Sequence, residues 1–265
     1  MAGDPYAEFK ANQRQAWGLF APLEAVTTIP AAALVKHARV RAHQMVLDVG
    51  CGTGVAALTA ARAAAKVSGL DLSPVLIALA KKNASLAGVD IDFREGDVEA
   101  LPYGDASFDV VLSQFGHIFA PRAEVALAEM LRVLRPGGTI AFSTWPPEHF
   151  VGQMFALVGK YVPPPPGVAP SGQWGDPNVV RQRLGDTVTD VFFDRGVMTF
   201  PTLSPQHYRK GIEETVGPVA KLVASLQGDP QKLSTFRSEF DGFVGRYFEG
   251  NALYQHFLMT RATKR

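Results

Sequence analysis

The chain has 265 residues, 47% hydrophobic and 19% charged, enough for a packed core and too apolar for wholesale disorder. Lysine and arginine number 26 against 25 aspartates and glutamates, a net charge of +1 with no run of five like charges, which disfavours a nucleic-acid partner held by phosphate neutralisation. The single cysteine, Cys51, excludes an intramolecular disulfide and a cysteine-rich zinc site. Met1 to Pro5 show neither the basic nor the apolar part of a signal peptide, and no run reaches the roughly 18 apolar residues of a membrane span. The expectation is a cytoplasmic protein with no membrane span and no metal site.

Tyr6, Phe9, Trp17 and Phe20 recur at mostly helical spacing, and a second helix is expected to begin near Pro30. Short apolar runs then alternate with helical stretches. Strands are expected over 45–49, 67–72, 89–93, 108–113 and 139–144, with helices over 53–65, 74–87 and 124–134 between them. Such alternation predicts a doubly wound parallel sheet, with ligands at the carboxyl ends of its strands. A helix over 150–162 runs into Pro163 to Pro166, an extended, stiff segment. Residues 188–200 contain another strand, 204–248 read as largely helical, and 253–260 close as a strand. Tyr208, Ile212, Val216, Val219, Leu222, Val223 and Leu226 suit one buried helical face.

The strongest motif is Asp48-Val49-Gly50-Cys51-Gly52-Thr53-Gly54, between a strand and a helix. Its spacing is G-x-G-x-G; the dinucleotide pattern G-x-G-x-x-G fails at Val55, and no Gly-Lys-Ser/Thr follows. A pyrophosphate gains nothing from Asp48, whereas the sulfonium and ammonium of S-adenosylmethionine (SAM) both would. Asp71 ends the second strand, 21 residues after Gly50, where its carboxylate can accept from both ribose hydroxyls while Leu72 packs on adenine. Ser73 before Pro74 reads as a helix start in the same place. Asp97 and the Val98 N–H follow the third strand and can meet the adenine edge.

The segments VLDVGCGTG (46–54), GLDLS (69–73), GDVEALPYGDASFDVV (96–111) and LRVLRPGG (131–138) resemble class I SAM-dependent methyltransferases. The resemblance is to the methyltransferase-11 type, which includes ubiquinone- and menaquinone-biosynthesis enzymes, and it spans residues 43–145. It implies a Rossmann-like seven-stranded sheet whose last strand pair is antiparallel, supplied by 188–200 and 253–262. It also implies N-terminal helices over 1–42, a core over 43–200 and 251–265, and a helical cap over 201–250. The family's pattern puts the backbone of Gly50, Cys51 and Gly52 around the methionine part of SAM, or of its product S-adenosylhomocysteine (SAH), with Gly54 also among the cofactor-binding residues. The methionine ammonium falls to the backbone of Ser113 or Gln114. The chain departs from many relatives in carrying His117 and Arg122.

Of six histidines, His117 is the candidate base, four residues past the fourth strand, with an ordinary pKa of ~6.5. His149 is the next candidate near the acceptor and His207 a third. His37, His43 and His256 read as structural. Trp17, Phe20, Phe115, Phe119, Trp145 and Trp174 offer an aromatic acceptor pocket, with Trp17, Phe115, Trp145 and His149 the chosen wall residues. The resulting expectation is methyl transfer to a small organic acceptor, O-methylation ahead of C- or N-methylation, with a catalytically silent SAM-binding protein as the other alternative and a homodimer left open.

Overall fold

Residues 4–265 are described by a computed structural model; Met1 to Gly3, where the expected N-terminal segment begins, lie outside the described residues. The central strands are β1 (Met45–Val49), β2 (Lys66–Asp71), β3 (Ile91–Glu95), β4 (Phe108–Gln114) and β5 (Leu134–Thr144). They run parallel in the order β3-β2-β1-β4-β5. Side chains alternate between two apolar layers: Val46, Val110, Leu112 and Ala141 enter one, and Leu47, Val111, Ile140 and Phe142 the other. A sheet buried on both faces needs helices on both, which the crossovers provide.

Helices α2 (Glu24–His37), α3 (Val55–Arg62) and α4 (Pro74–Ala87) cover one face. On the other lie α5 (Ala123–Val133), α6 (Phe150–Tyr161) and α7 (Pro177–Leu184). Beyond β5 come two antiparallel strands, β8 (Ala252–Lys264) and then β6 (Val188–Pro201). This is the seven-stranded Rossmann-like sheet with its antiparallel final pair. A two-residue β7 (Phe248–Glu249) pairs with β8 in addition.

Between β6 and β8 the chain forms α8 (Pro205–Thr215), α9 (Gly217–Ser225) and α10 (Pro230–Gly245). The apolar face expected from Tyr208 to Leu226 is buried throughout, but on two helices that break at Val216. Pro218 explains the break, because a proline in the second position of a helix is favourable and in the interior it is not.

The N-terminus departs from the expected pattern. α1 (Ala7–Ala16), a 3-10 turn over Trp17–Leu23 and α2 form one continuous helical run. Pro30 does not start α2 but sits inside it, buried, in its second turn. By length and composition this run, Ala7–His37, does pass as a membrane span, contrary to expectation. Here it packs on the domain: α2 against the sheet and α3, and α1 against α9. Pro163 to Pro165 are neither helix nor strand, and the Pro166 carbonyl accepts a long hydrogen bond from Tyr6 Oη at 3.4 Å.

The strand order reverses between β1 and β4, and there two loops touch through glycines. A Cβ on Gly116 would sit 2.6 Å from the Gly50 carbonyl oxygen and 2.7 Å from its Cα. Gly116→Ala is therefore expected to lose about 1–3 kcal/mol in urea unfolding. Gly211→Ala, where no atom lies within 4 Å of the added Cβ on α8, should be neutral or slightly stabilising. Equal effects of the two substitutions would contradict the contact.

Candidate functional site

A cavity opens above the carboxyl ends of the strands. Gly50, Cys51 and Gly52 form one wall, and Gly50 and Gly52 hold φ of 64° and 55°, a left-handed conformation that excludes most other residues. Gly50 and Cys51 donate their N–H groups to the Leu70 carbonyl at 2.8 and 3.0 Å, tying the loop to β2. The Cys51 thiol is buried and burial raises its pKa well above the ordinary value, so it is a packed residue and not a nucleophile.

Asp48 is fully buried beneath this loop. Its Oδ2 accepts from the Ala57 N–H at 2.9 Å, capping α3, while its Oδ1 has no partner. Burial pushes its carboxyl up to about 7, with the nearby Asp71 carboxylate adding to the rise. Asp71 accepts from the Gly52 N–H at 2.9 Å and the Ser73 N–H at 2.8 Å. Burial raises its pKa too, against the pull of those backbone donors. The expected Ser73 side-chain cap is absent: its Oγ is buried without a partner, and Asp71 serves the start of α4 instead.

Leu72, Asp97, Val98 and Gln114 border the cavity as expected. Asp97, however, is already engaged. Its Oδ1 accepts from the Glu99 N–H, and its Oδ2 lies 2.7 Å from Lys10 Nζ. Lys10 also contacts Asp4 Oδ2 at 2.7 Å and Glu99 Oε2 at 2.5 Å. The fully buried Glu99 carboxylate in turn holds the backbone and guanidinium of Arg122 at 2.6 and 2.7 Å. The three carboxylates of Asp4, Asp97 and Glu99 have metal-like spacing, but the Lys10 ammonium lies within 2.7 Å of all three. Neither Lys10 nor Glu99 was marked by the sequence.

Three expected site residues lie off the cavity. Gly54 is the N-cap of α3, and a Cβ there would meet Phe93 and Leu58. Ser113 is buried in β4 and donates its hydroxyl to the Val49 carbonyl at 2.7 Å, while accepting from the His117 N–H. His149 turns away, its Nε2 3.0 Å from an Arg195 nitrogen and its ring 4.8 Å from that of His256. His207 is likewise a helix-start residue, with Nδ1 2.8 Å from Ser204 Oγ.

His117 does border the cavity, but it is nearly fully buried and wedged 4.7 Å from both Phe142 and Trp174. Trp174 is therefore core, not pocket wall. Both His117 ring nitrogens lack a partner. Burial, with the positive Arg183 nearby, pushes the pKa down to about 3, so the ring is neutral and a weak base at working pH. The expectation of a base with an ordinary pKa loses its premise.

Trp17, Phe20, Phe115, Phe119 and Trp145 all border the cavity. Phe115 stacks flat on Trp145, with ring centres 3.9 Å apart and planes 10° from parallel. Phe115 holds a φ of 61°, rare outside glycine, and this turns its ring into the cavity. Trp17 and Phe119 pack at 4.5 Å and, with Phe20, complete the N-terminal side. Tyr208, Ile212 and Val216 on α8 and at its end, and Gln255 on β8, close the cavity from above.

The raised Asp48 pKa has a readable consequence. The folded protein holds this proton more tightly than an unfolded aspartate near ~3.9. Its contribution to stability is full below about pH 4 and is lost as pH rises through 7. In the ligand-free protein, Asp48→Asn should flatten the fall in unfolding free energy between pH 5 and 8 by more than ~1 kcal/mol. An unchanged pH dependence in urea melts would contradict the buried-carboxyl reading.

Comparison with known proteins agrees with the geometry. Residues 46–138 match the family described as methyltransferase domain. The chain is 32% identical over 258 residues to the uncharacterized protein Rv1403c of Mycobacterium tuberculosis, covering 96% of this chain and 94% of that one. It is 37% identical over 147 residues to the demethylmenaquinone methyltransferase of Deinococcus radiodurans, covering 54% of this chain and 61% of that one. The YcgJ protein of Bacillus subtilis has a similar fold, with a TM-score of 0.61 at 18% identity over 89% of this chain and 97% of that chain. The glycine loop at the end of β1, the acid at the end of β2 and these relationships have one reading: the chain belongs to the class I SAM-dependent methyltransferases.

Proposed function

We propose that the cavity holds SAM against the glycine loop and a small, largely apolar acceptor against the aromatic wall. The observation that carries this reading is the continuity of one cavity from Gly50, Asp71 and Asp97 to Trp145, Tyr208 and Ile212. The polar groups at the loop end fit the cofactor. Asp48 Oδ1 is an unpartnered acceptor for a cationic group, and its ionised form would gain from one. Each Asp71 oxygen keeps a lone pair beyond its backbone donor, which suits a ribose diol. Leu72 and Val98 flank the adenine position, and the Lys10 contact fixes the Asp97 carboxylate beside it. Bound there, SAM supplies a methyl group on a positively charged sulfur.

The remaining work falls to the acceptor wall. Phe115, Trp145, Trp17 and Phe20 exclude water and orient a ring, and alignment of this kind lowers a barrier by several kcal/mol. The ionisable side chains of the wall are Lys10, Asp48, Cys51, Asp71, Asp97, His117 and Tyr208, and burial keeps the Cys51 thiol protonated. The three aspartates belong to the loop end, Lys10 is bound to carboxylates, burial raises the Tyr208 phenol, and His117 is too weak a base. The acceptor therefore brings its own nucleophile, an acidic hydroxyl or a stabilised carbanion. O-methylation of such a hydroxyl is the leading reading, with C- or N-methylation behind it. His117 shapes the wall and does not move the proton.

Two measurements test this. Asp71→Ala should weaken SAH binding at least ~10-fold in calorimetry, since it removes hydrogen bonds to a charged group. Unchanged affinity would reduce Asp71 to a helix-start residue. A mass-shift assay with SAM and a panel of phenols, amines and quinone precursors, demethylmenaquinone among them, identifies the acceptor class. Turnover should then follow the acceptor's own ionisation, its inflection moving when the acceptor is exchanged. An inflection fixed near pH 6–7 and lost in His117→Ala would restore His117 as the base.

A further inference from the structure

The cap presents the cavity with one hydrogen-bond donor that the protein itself leaves without a strong acceptor. Tyr208 is buried, and its ring is held edge-on by Phe150 at 5.6 Å and Phe200 at 4.9 Å. Its hydroxyl oxygen accepts from Gln255 Nε2 at 3.1 Å, so the Gln255 amide occupies one side of it. The hydroxyl proton then finds only the Met154 thioether, 4.0 Å away, a weak acceptor. A buried hydroxyl without a good acceptor is unfavourable, and such a group is satisfied when a ligand supplies the oxygen. Gln255 is itself buried, and its Oε1 accepts no hydrogen bond from the described residues. The other amides on the wall differ. Gln13 donates to the Phe119 carbonyl at 3.2 Å and Gln114 to the Thr27 carbonyl at 2.8 Å, both on the N-terminal side.

We propose that Tyr208 and Gln255 form the acceptor-reading pair of this enzyme. Tyr208 Oη donates a hydrogen bond to a neutral oxygen, a carbonyl or a hydroxyl, on an acceptor that is otherwise apolar. The pair lies on α8 and β8, outside residues 46–138, so it sets specificity where the common methyltransferase domain does not reach. Among the described residues no carboxylate hydrogen-bonds to the phenol that could receive a cationic amine; Met154, Gln255, Phe150 and Phe200 are its partners. This inference rests on the assignment of the cavity to SAM and an acceptor, and the test separates the two.

The probes are α-tetralone and tetralin, one ring skeleton with and without a carbonyl. Binding is read by tryptophan fluorescence with SAH present, and SAH binding itself by calorimetry. The wild type should bind α-tetralone more tightly than tetralin. Tyr208→Phe should weaken α-tetralone about fivefold to tenfold, leaving tetralin and SAH within twofold. Tyr208→Phe leaves the Gln255 amide without its partner, so the double variant Tyr208→Phe/Gln255→Leu, which removes both, is measured as well; it should erase the preference for the ketone. Wild-type protein that binds SAH but prefers tetralin, binds neither probe, or keeps its ketone preference in both variants would overturn the inference alone. Wild-type protein that does not bind SAH would overturn the cavity assignment beneath it.

Discussion

The contact between Gly50 and Gly116 fixes the geometry on which the site depends. It joins the loops that leave β1 and β4, the two strands between which the sheet reverses its order. A side chain at either position would place its Cβ 2.6–2.8 Å from the partner's backbone, closer than such atoms approach, and would force the loops apart. With them together, the glycine loop stays tied to the Leu70 carbonyl and to Asp71, and the chain beyond β4 must turn at once. That turn gives Phe115 its left-handed backbone and lays its ring on Trp145. One steric constraint thus shapes both the glycine-loop end and the aromatic end of the cavity.

Closure of the cavity depends on charge as well as packing. Glu99 is fully enclosed, and the two cations that neutralise it come from different parts of the chain: Lys10 on α1 and Arg122 before α5. Because the same ammonium holds Asp97, the N-terminal helix and the turn after β3 are fixed together. An exposed ion pair is worth little, but losing one partner of a buried cluster leaves an uncompensated charge. This makes the helical run Ala7–His37 a wall of the site, despite a composition that would also suit a bilayer. The opposite side is closed by α8 and α9 through apolar contacts from Ile212 to Val219, with the Tyr208–Gln255 hydrogen bond beside them.

Much of this was legible in the sequence where local pattern decides the structure. Short apolar runs between helical stretches marked the strands, and the helix expected over 74–87 does end there, at Gly88 in a left-handed conformation. The glycine loop, Asp71 and the Phe115–Trp145 wall could be read because they follow strand ends directly. What could not be read depends on distant partners. Lys10 looks like a solvated helix residue until Glu99, 89 positions away, arrives beside it. His117 looks like an ordinary histidine until Trp174 covers it and Arg183 adds its charge. His149 follows β5 as expected, but it meets Arg195 and His256 instead of lining the cavity. Pro30 shows the limit of a local signal, since packing overrides its preference for a first turn.

The central claim is that one cavity, bounded by the glycine loop, the N-terminal helices and the α8–α9 cap, binds the cofactor and leaves room for the acceptor. A crystal structure of the protein with SAH tests it most directly. The account predicts the ribose at Asp71, adenine beside Leu72 and Val98, and the sulfur facing Phe115, with open space remaining toward Tyr208. Nucleoside density elsewhere on the molecule, or SAH filling the cavity through to Tyr208, would contradict it.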